Sequence, residues 1–128
     1  MTDMNIEHLN VTVTDPDKTA ELLVKLFGWH VRWKGGTMGD GFTVHVGTED
    51  SYLALYSPPK TLRPKPNNYA IASGLNHIGI LVDDLVEVES RVRAEGITTH
   101  NYGDYEPGRR FYFNDWDGVE YEVVSYKK

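Results

Sequence analysis

The sequence contains no cysteine. That absence excludes disulfides, thiolate metal ligands and a cysteine nucleophile, and it tilts the expected compartment toward the cytoplasm. Long apolar runs are missing as well. Nowhere do about 18 consecutive apolar residues occur, the length a membrane-crossing helix requires, so no membrane partner is expected. The opening residues Met1-Thr2-Asp3-Met4-Asn5 have neither a basic flank nor an apolar stretch and do not read as a signal peptide. Positive charge is in short supply. Thirteen Lys and Arg against 19 Asp and Glu leave a formal net charge of −6, with the cations scattered rather than striped. Such a surface repels polyphosphate backbones, so nucleic acid is not an expected partner. A glycine-rich phosphate loop, a serine nucleophile elbow and zinc-finger spacing are all lacking. Proline is concentrated in one place, with four of the six between residues 57 and 74.

What is present is one soluble globular domain of 128 residues, large enough to bury about two-thirds of its unfolded-chain surface without staples. Its main feature is a repeat. Glu7-His8-Leu9-Asn10-Val11-Thr12-Val13-Thr14-Asp15-Pro16 returns as Asn76-His77-Ile78-Gly79-Ile80-Leu81-Val82-Asp83-Asp84-Leu85, 69 positions later. In each copy a histidine opens a run of apolar and small residues that ends at acidic residues where a helical pattern starts. Two copies at that period imply two copies of one supersecondary unit.

Residues 6 to 13 alternate, with His8, Asn10 and Thr12 on one side and Leu9, Val11 and Val13 on the other, as a strand requires. The polar side reads as the lining of a cavity. Asp15-Pro16-Asp17 forms an N-cap, a first-turn proline and an acidic first turn, and Ala20, Leu23, Val24 and Phe27 mark a helical stripe closed by Gly28. Three strands follow, Trp29 to Trp33, Phe42 to Val46 and Tyr52 to Tyr56, separated by glycine-rich turns. The second copy repeats the plan. Asp83 or Asp84 caps a helix carrying Leu85, Val88 and Val92, closed by Gly96, and strands are expected over Ile97 to Asn101, Arg110 to Asn114 and Val119 to Tyr126. The fold class is therefore α+β. Two tandem βαβββ units span 5–57 and 75–126, joined by an aperiodic linker over 58–74. At an offset of 68 the last strands superpose, so Ala54 corresponds to Glu122 and His45 to Phe113.

These features resemble the vicinal oxygen chelate superfamily, which includes glyoxalase I, extradiol dioxygenases, and fosfomycin- and bleomycin-resistance proteins. Phe111-Tyr112-Phe113-Asn114-Asp115-Trp116-Asp117-Gly118-Val119-Glu120-Tyr121-Glu122 is similar to the family's aromatic strand, Asp-Pro-Asp-Gly turn and metal-binding glutamate, with Trp116 where proline is usual. The resemblance implies that each unit curls into half of a cup, a mixed sheet with its helices outside. It further implies a divalent metal ion (Fe, Mn, Zn or Ni) held by His8, His77 and Glu122, with Ala54 replacing the first-unit carboxylate of glyoxalases. Two imidazoles and one carboxylate suit such ions and leave positions open for substrate oxygens.

Around this set, His45 is a candidate base and Tyr112 a candidate for orienting a ring. Asn10, Tyr52, Arg109 and Arg110 are candidate substrate contacts, the two arginines as a clamp for an anionic group. The expected function is a metal-dependent enzyme acting on a small oxygen-chelating molecule, with extradiol-type dioxygenase favoured. The alternatives are a lyase or isomerase of glyoxalase type and a metal-free small-molecule binding protein of the bleomycin-resistance type. The resemblance also implies a homodimer, because short two-unit chains of the family commonly pair units across subunits.

Overall fold

The computed structural model describes residues 3–37, 39–64 and 66–127. The chain divides into two compact units, Met1–Leu62 and Arg63–Lys128. Unit one contains β1 (His8–Thr12), α1 (Pro16–Phe27), β2 (His30–Thr37), β3 (Gly41–Gly47) and β4 (Tyr52–Ser57). Unit two contains β5 (Ile78–Leu81), α2 (Leu85–Ala94), β6 (Thr99–Tyr105), β7 (Gly108–Asn114) and β8 (Glu120–Ser125), preceded by a single 3-10 turn over Asn68–Ala70. Each unit is βαβββ, as the repeat predicts.

The two sheets share one topology. Their strand orders are β1-β4-β3-β2 and β5-β8-β7-β6, and in each the first strand runs parallel to the last while the other pairs are antiparallel. The helix carries the chain from one edge strand to the other, from β1 to β2 and from β5 to β6, so the parallel neighbours are joined through the whole unit. Even the hydrogen bond just beyond the first strand repeats, Val13 N to Tyr56 O at 2.8 Å and Val82 N to Val124 O at 2.9 Å.

Local chemistry explains where the helices begin and end. The Asp15 carboxylate accepts from Lys18 N at 3.2 Å, and Asp84, rather than Asp83, accepts from Glu87 N at 3.1 Å. Both satisfy a backbone donor that the helix itself leaves unpaired. Gly28 and Gly96 follow the helices in left-handed conformation, φ 71° and 78°, where a Cβ would be strained. In α1 the buried stripe is Ala20, Leu22, Leu23 and Leu26, so Val24 and Phe27 of the expected stripe lie at its margin, and the helix packs on β3 and β4, whose Val44, Val46, Leu53 and Leu55 are also buried. Unit two buries Leu85, Val88 and Val92 of α2 together with Phe111, Phe113, Tyr121 and Val123. Because side chains alternate along a strand, committing these residues to the helix side turns His77, Arg110, Tyr112, Glu120 and Glu122 to the other face.

Three expectations change. The β6–β7 hairpin extends to Tyr105 and Gly108, longer than predicted, and a register irregularity lies between His100 and Gly103. Most of β6 is exposed, so no apolar alternation marked it. The cap of α2 is resolved to Asp84. Finally, His45 pairs with Ala54, and Tyr112 pairs with Glu122. His45 therefore corresponds to Tyr112, not to Phe113, which is fully buried on the helix side. The connection between β7 and β8 is one residue longer than that between β3 and β4, and this shifts the correspondence by one.

Candidate functional site

In unit two, His77 lies just before β5 and Glu122 lies on the neighbouring strand β8. His77 Nε2 is 3.1 Å from Glu122 Oε1, with side chains 30% and 15% exposed. The second carboxylate oxygen accepts from Arg110 Nη1 at 3.0 Å. Arg110 is held in turn by Nη2 donating to Gly108 O at 3.2 Å and by its guanidinium lying 4.6 Å from the centre of the Tyr105 ring. This fixes the carboxylate, since its far oxygen is anchored while the near one faces the imidazole. The Tyr112 ring meets His77 edge-on at 5.6 Å and lies 6.1 Å from His100, whose Nε2 is 2.9 Å from Asn114 Oδ1. Burial and the Glu122 carboxylate push the Tyr112 phenol up, so it remains a proton donor at neutral pH.

A residue that carried no sequence signal completes this cluster. Tyr69, in the 3-10 turn of the aperiodic segment, donates its hydroxyl to Glu120 Oε1 and stands 3.4 Å from His77 Nδ1. Its phenol is pushed up to about 12, first by the hydrogen bond to Glu120 and then by burial. Glu120 lies two residues from Glu122 on β8 and so shares its face. Its partnership with Tyr69, 51 residues earlier, left no mark in the sequence.

Unit one presents a different surface. His8 Nδ1 lies 2.9 Å from Glu7 Oε1, and the His8 ring stacks on Tyr52 at 4.9 Å with 15° between planes. Tyr52 also stacks with His45 at 4.6 Å, donates to Glu7 Oε1 at 3.4 Å, and carries the Arg32 guanidinium 4.4 Å from its ring centre. Trp33 continues the array 5.1 Å from His45. Burial first, then the positive field of His8 and Arg32, pulls the His45 imidazole down, so it is a neutral acceptor at pH 7. The Glu7 carboxyl is held below its usual range, chiefly by the hydrogen bond from His8. Asn10 pairs with Ala54, which is 2% exposed and brings no carboxylate.

The structure thus brings His77, Glu122, Arg110 and Tyr112 together in one unit, and His8, His45 and Tyr52 together in the other. It separates the expected arginine clamp. Arg109, one residue from Arg110 and so on the opposite face of β7, lines a groove of about 290 Å³ with Asp104, Tyr105, Glu106, Tyr126 and Lys127.

The donor set fits a divalent ion in part within one unit. Two donors each about 2.1 Å from a metal at cis positions lie about 3.0 Å apart, close to the His77–Glu122 spacing of 3.1 Å. Within either unit, among the described residues, no third His, Asp or Glu joins such a pair. The remaining imidazole of the expected set, His8, belongs to unit one.

The sequence profile described as the Glyoxalase/Bleomycin resistance protein/Dioxygenase superfamily matches residues 5–123. Among curated protein sequences nothing matches. Solved structures do. A glyoxylase/bleomycin resistance protein/dioxygenase domain from Frankia sp. EAN1pec is 17% identical, with a TM-score of 0.81, covering 97% of this chain and 98% of that one. A glyoxalase family protein from Enterococcus faecalis is 20% identical, with a TM-score of 0.76 and coverages of 94% and 96%. A mutant of the genomically encoded fosfomycin resistance protein of Listeria monocytogenes, complexed with Mn(II) and a dihydroxypropylphosphonic acid, is 18% identical, with a TM-score of 0.72 and coverages of 96% and 93%. At these identities the likeness is one of fold. Among the described residues no helix is long and apolar enough to cross a membrane.

Proposed function

Because the chain belongs to the glyoxalase/bleomycin resistance/dioxygenase superfamily, we propose that it is a divalent-metal-dependent enzyme acting on a small molecule that chelates through oxygen. His8, His77 and Glu122 are the proposed ligands, for Fe, Mn, Zn or Ni. The observation that carries this reading is the His77–Glu122 pair at 3.1 Å, with the far carboxylate oxygen anchored by Arg110. When bound, the ion would act as a Lewis acid toward substrate oxygens or help to activate dioxygen. The two-histidine, one-carboxylate set favours extradiol-type ring cleavage. In that role Tyr112 orients the ring and donates a hydrogen bond. Arg110 is committed to Glu122, so its part is to aim that ligand.

One observation favours a second reading. His45, held neutral, pairs with Ala54, the position where glyoxalases carry a carboxylate that serves as ligand and base. A base at His45 beside that position supports proton-transfer chemistry of the lyase or isomerase type. The lack of cysteine supports a cytoplasmic setting.

The ligands lie on two units, and we take the working assembly to be a homodimer in which units pair across subunits. Metal analysis of protein purified without a histidine tag tests the central claim, and a stoichiometric divalent ion is expected. Metal-free protein that gains none on titration would instead support a small-molecule binding protein of the bleomycin-resistance type. Sizing chromatography that shows a monomer at all concentrations would end the dimer reading. Mixing His8→Ala with Glu122→Ala subunits should restore some intact sites if units are exchanged.

A further inference from the structure

We propose that a tyrosine–glutamate pair in each unit receives the ring proton of the ligand histidine at Nδ1, so that His8 and His77 hold the metal through Nε2. The inference rests on the metal-site reading above and adds Glu7, Tyr69 and Glu120 to it as positioning residues.

A neutral imidazole has one donor nitrogen and one acceptor nitrogen, and the hydrogen bond made by one decides the state of the other. In unit one, Nδ1 of His8 faces the Glu7 carboxylate at 2.9 Å, which only accepts. The ring proton therefore sits on Nδ1, and the lone pair on Nε2. In unit two the position before His77 is Asn76, so no carboxylate stands there in sequence. The same result is reached by other means. Tyr69 commits its single hydroxyl proton to Glu120, and toward His77 Nδ1, 3.4 Å away, it offers a lone pair. In the metal-free protein Glu122 Oε1, 3.1 Å from Nε2, competes for the ring proton, and a cation taken up at Nε2 leaves that proton to Nδ1 and the Tyr69 oxygen.

The two arrangements use the same groups from exchanged places. In unit one the strand β4 supplies the tyrosine, Tyr52, which stacks on His8 and donates to Glu7. In unit two the corresponding position on β8 is Glu120, and the tyrosine arrives from the aperiodic segment to stack on His77, with ring centres 6.4 Å apart and 26° between planes. Each ligand histidine thus has a tyrosine and a glutamate linked by a hydrogen bond on its Nδ1 side. At 3.1 Å His77 Nε2 and Glu122 Oε1 share one N–H in the metal-free protein, and a cation between them displaces that proton. Partners of this kind orient metal-binding imidazoles and raise their basicity.

The test uses the full chain and Zn²⁺, which is diamagnetic. Affinity is measured by competition with a chelating dye for wild type, Tyr69→Phe and Glu7→Ala, with thermal denaturation of the metal-free proteins reporting the fold. Each variant should bind about 10- to 100-fold more weakly. Histidine ¹⁵N spectra of the Zn²⁺-loaded wild type should show His8 and His77 coordinated through Nε2 with the proton on Nδ1. Stoichiometric binding by wild type, with both variants within about twofold of it, would overturn the positioning role and leave the metal site standing. Coordination through Nδ1 would overturn it as well. Absence of Zn²⁺ binding by wild type would overturn the metal reading and this inference together. Should Tyr69→Phe not fold, the tautomers of the wild type carry the test.

Discussion

The two units are one backbone plan with two different polar faces. In unit one the position paired with His45 is Ala54, and the surrounding side chains form a stacked array of His8, Tyr52, His45 and Trp33. In unit two the equivalent position is Glu122, clasped between His77 and Arg110. The helix sides are alike in both, with buried aliphatic and aromatic residues and an aspartate cap at the start of each helix. The two units thus share what makes the unit fold and differ on the opposite face. A strand separates these two demands physically, since alternate residues serve opposite faces.

The largest effect is expected where the faces differ most. Glu122→Ala should weaken divalent-metal binding by more than about 100-fold, because it would remove a proposed ligand outright where a supporting contact costs about 10- to 100-fold. Isothermal titration with Mn²⁺ or Zn²⁺ measures it, and wild-type affinity in this variant would refute the proposed site. The converse change, Ala54→Glu, places a carboxylate at the equivalent position of both units. Ala54 is 2% exposed, so an added carboxylate should lower the melting temperature of the metal-free protein. Saturating metal should then raise that temperature more in the variant than in wild type, through binding to the folded state alone. Equal metal-induced shifts would mean that position 54 does not face the ion.

A smaller contrast lies in the turns that end β3 and β7. Thr48 Oγ1 accepts from Asp50 N and Ser51 N in the first, whereas Asp115 Oδ1 accepts from Asp117 N and Val119 N in the second, with Oδ2 accepting from the buried Tyr121 hydroxyl at 3.2 Å. Asp115→Ala should cost about 2–4 kcal/mol, because it strands buried donors, against about 0.5–1.5 kcal/mol for Thr48→Ala at an exposed turn. Urea denaturation compares them, and equal losses would erase the distinction.

The same aspartate gives a pH signature. Burial raises the Asp115 carboxyl above its usual value of 3.8, outweighing the hydrogen bonds that lower it. The folded state therefore binds that proton more tightly than the unfolded state does. Its stabilising contribution is full below about pH 3.8 and is lost as pH rises through the folded-state value. Asp115→Asn should flatten that part of the stability profile, while an unchanged slope would exclude Asp115 as its source. The smallest effect should be the same in both units. Gly28→Ala and Gly96→Ala place a Cβ at positive φ with nothing within 4 Å, so each should cost about 1 kcal/mol from backbone strain alone. Unequal losses would show that the two helix ends are not equivalent.

Much of this architecture was legible in the amino acids because its signals are local. Asp15, Pro16 and Gly28 mark α1 within its own turn chemistry, period-2 alternation marks β1, and the 69-residue echo of His8 in His77 announces the repeat. Once the repeat was aligned, the equivalence of Ala54 and Glu122 followed. The β6–β7 hairpin escaped because an exposed strand leaves no apolar pattern. The correspondence of His45 was misplaced because one extra residue in a turn inverts which face a strand residue joins, and similarity alone does not locate that insertion. Folding also decided which neighbours the site residues have. Arg109 and Arg110 are interchangeable as letters, yet the pleat sends one to a groove beside Tyr126 and the other to Glu122. Tyr69 lies in a segment without periodicity and reaches Glu120 only through chain closure over 51 residues. Caps, turns and alternation are written within a few residues of where they act, whereas a contact between distant side chains depends on how the whole backbone closes.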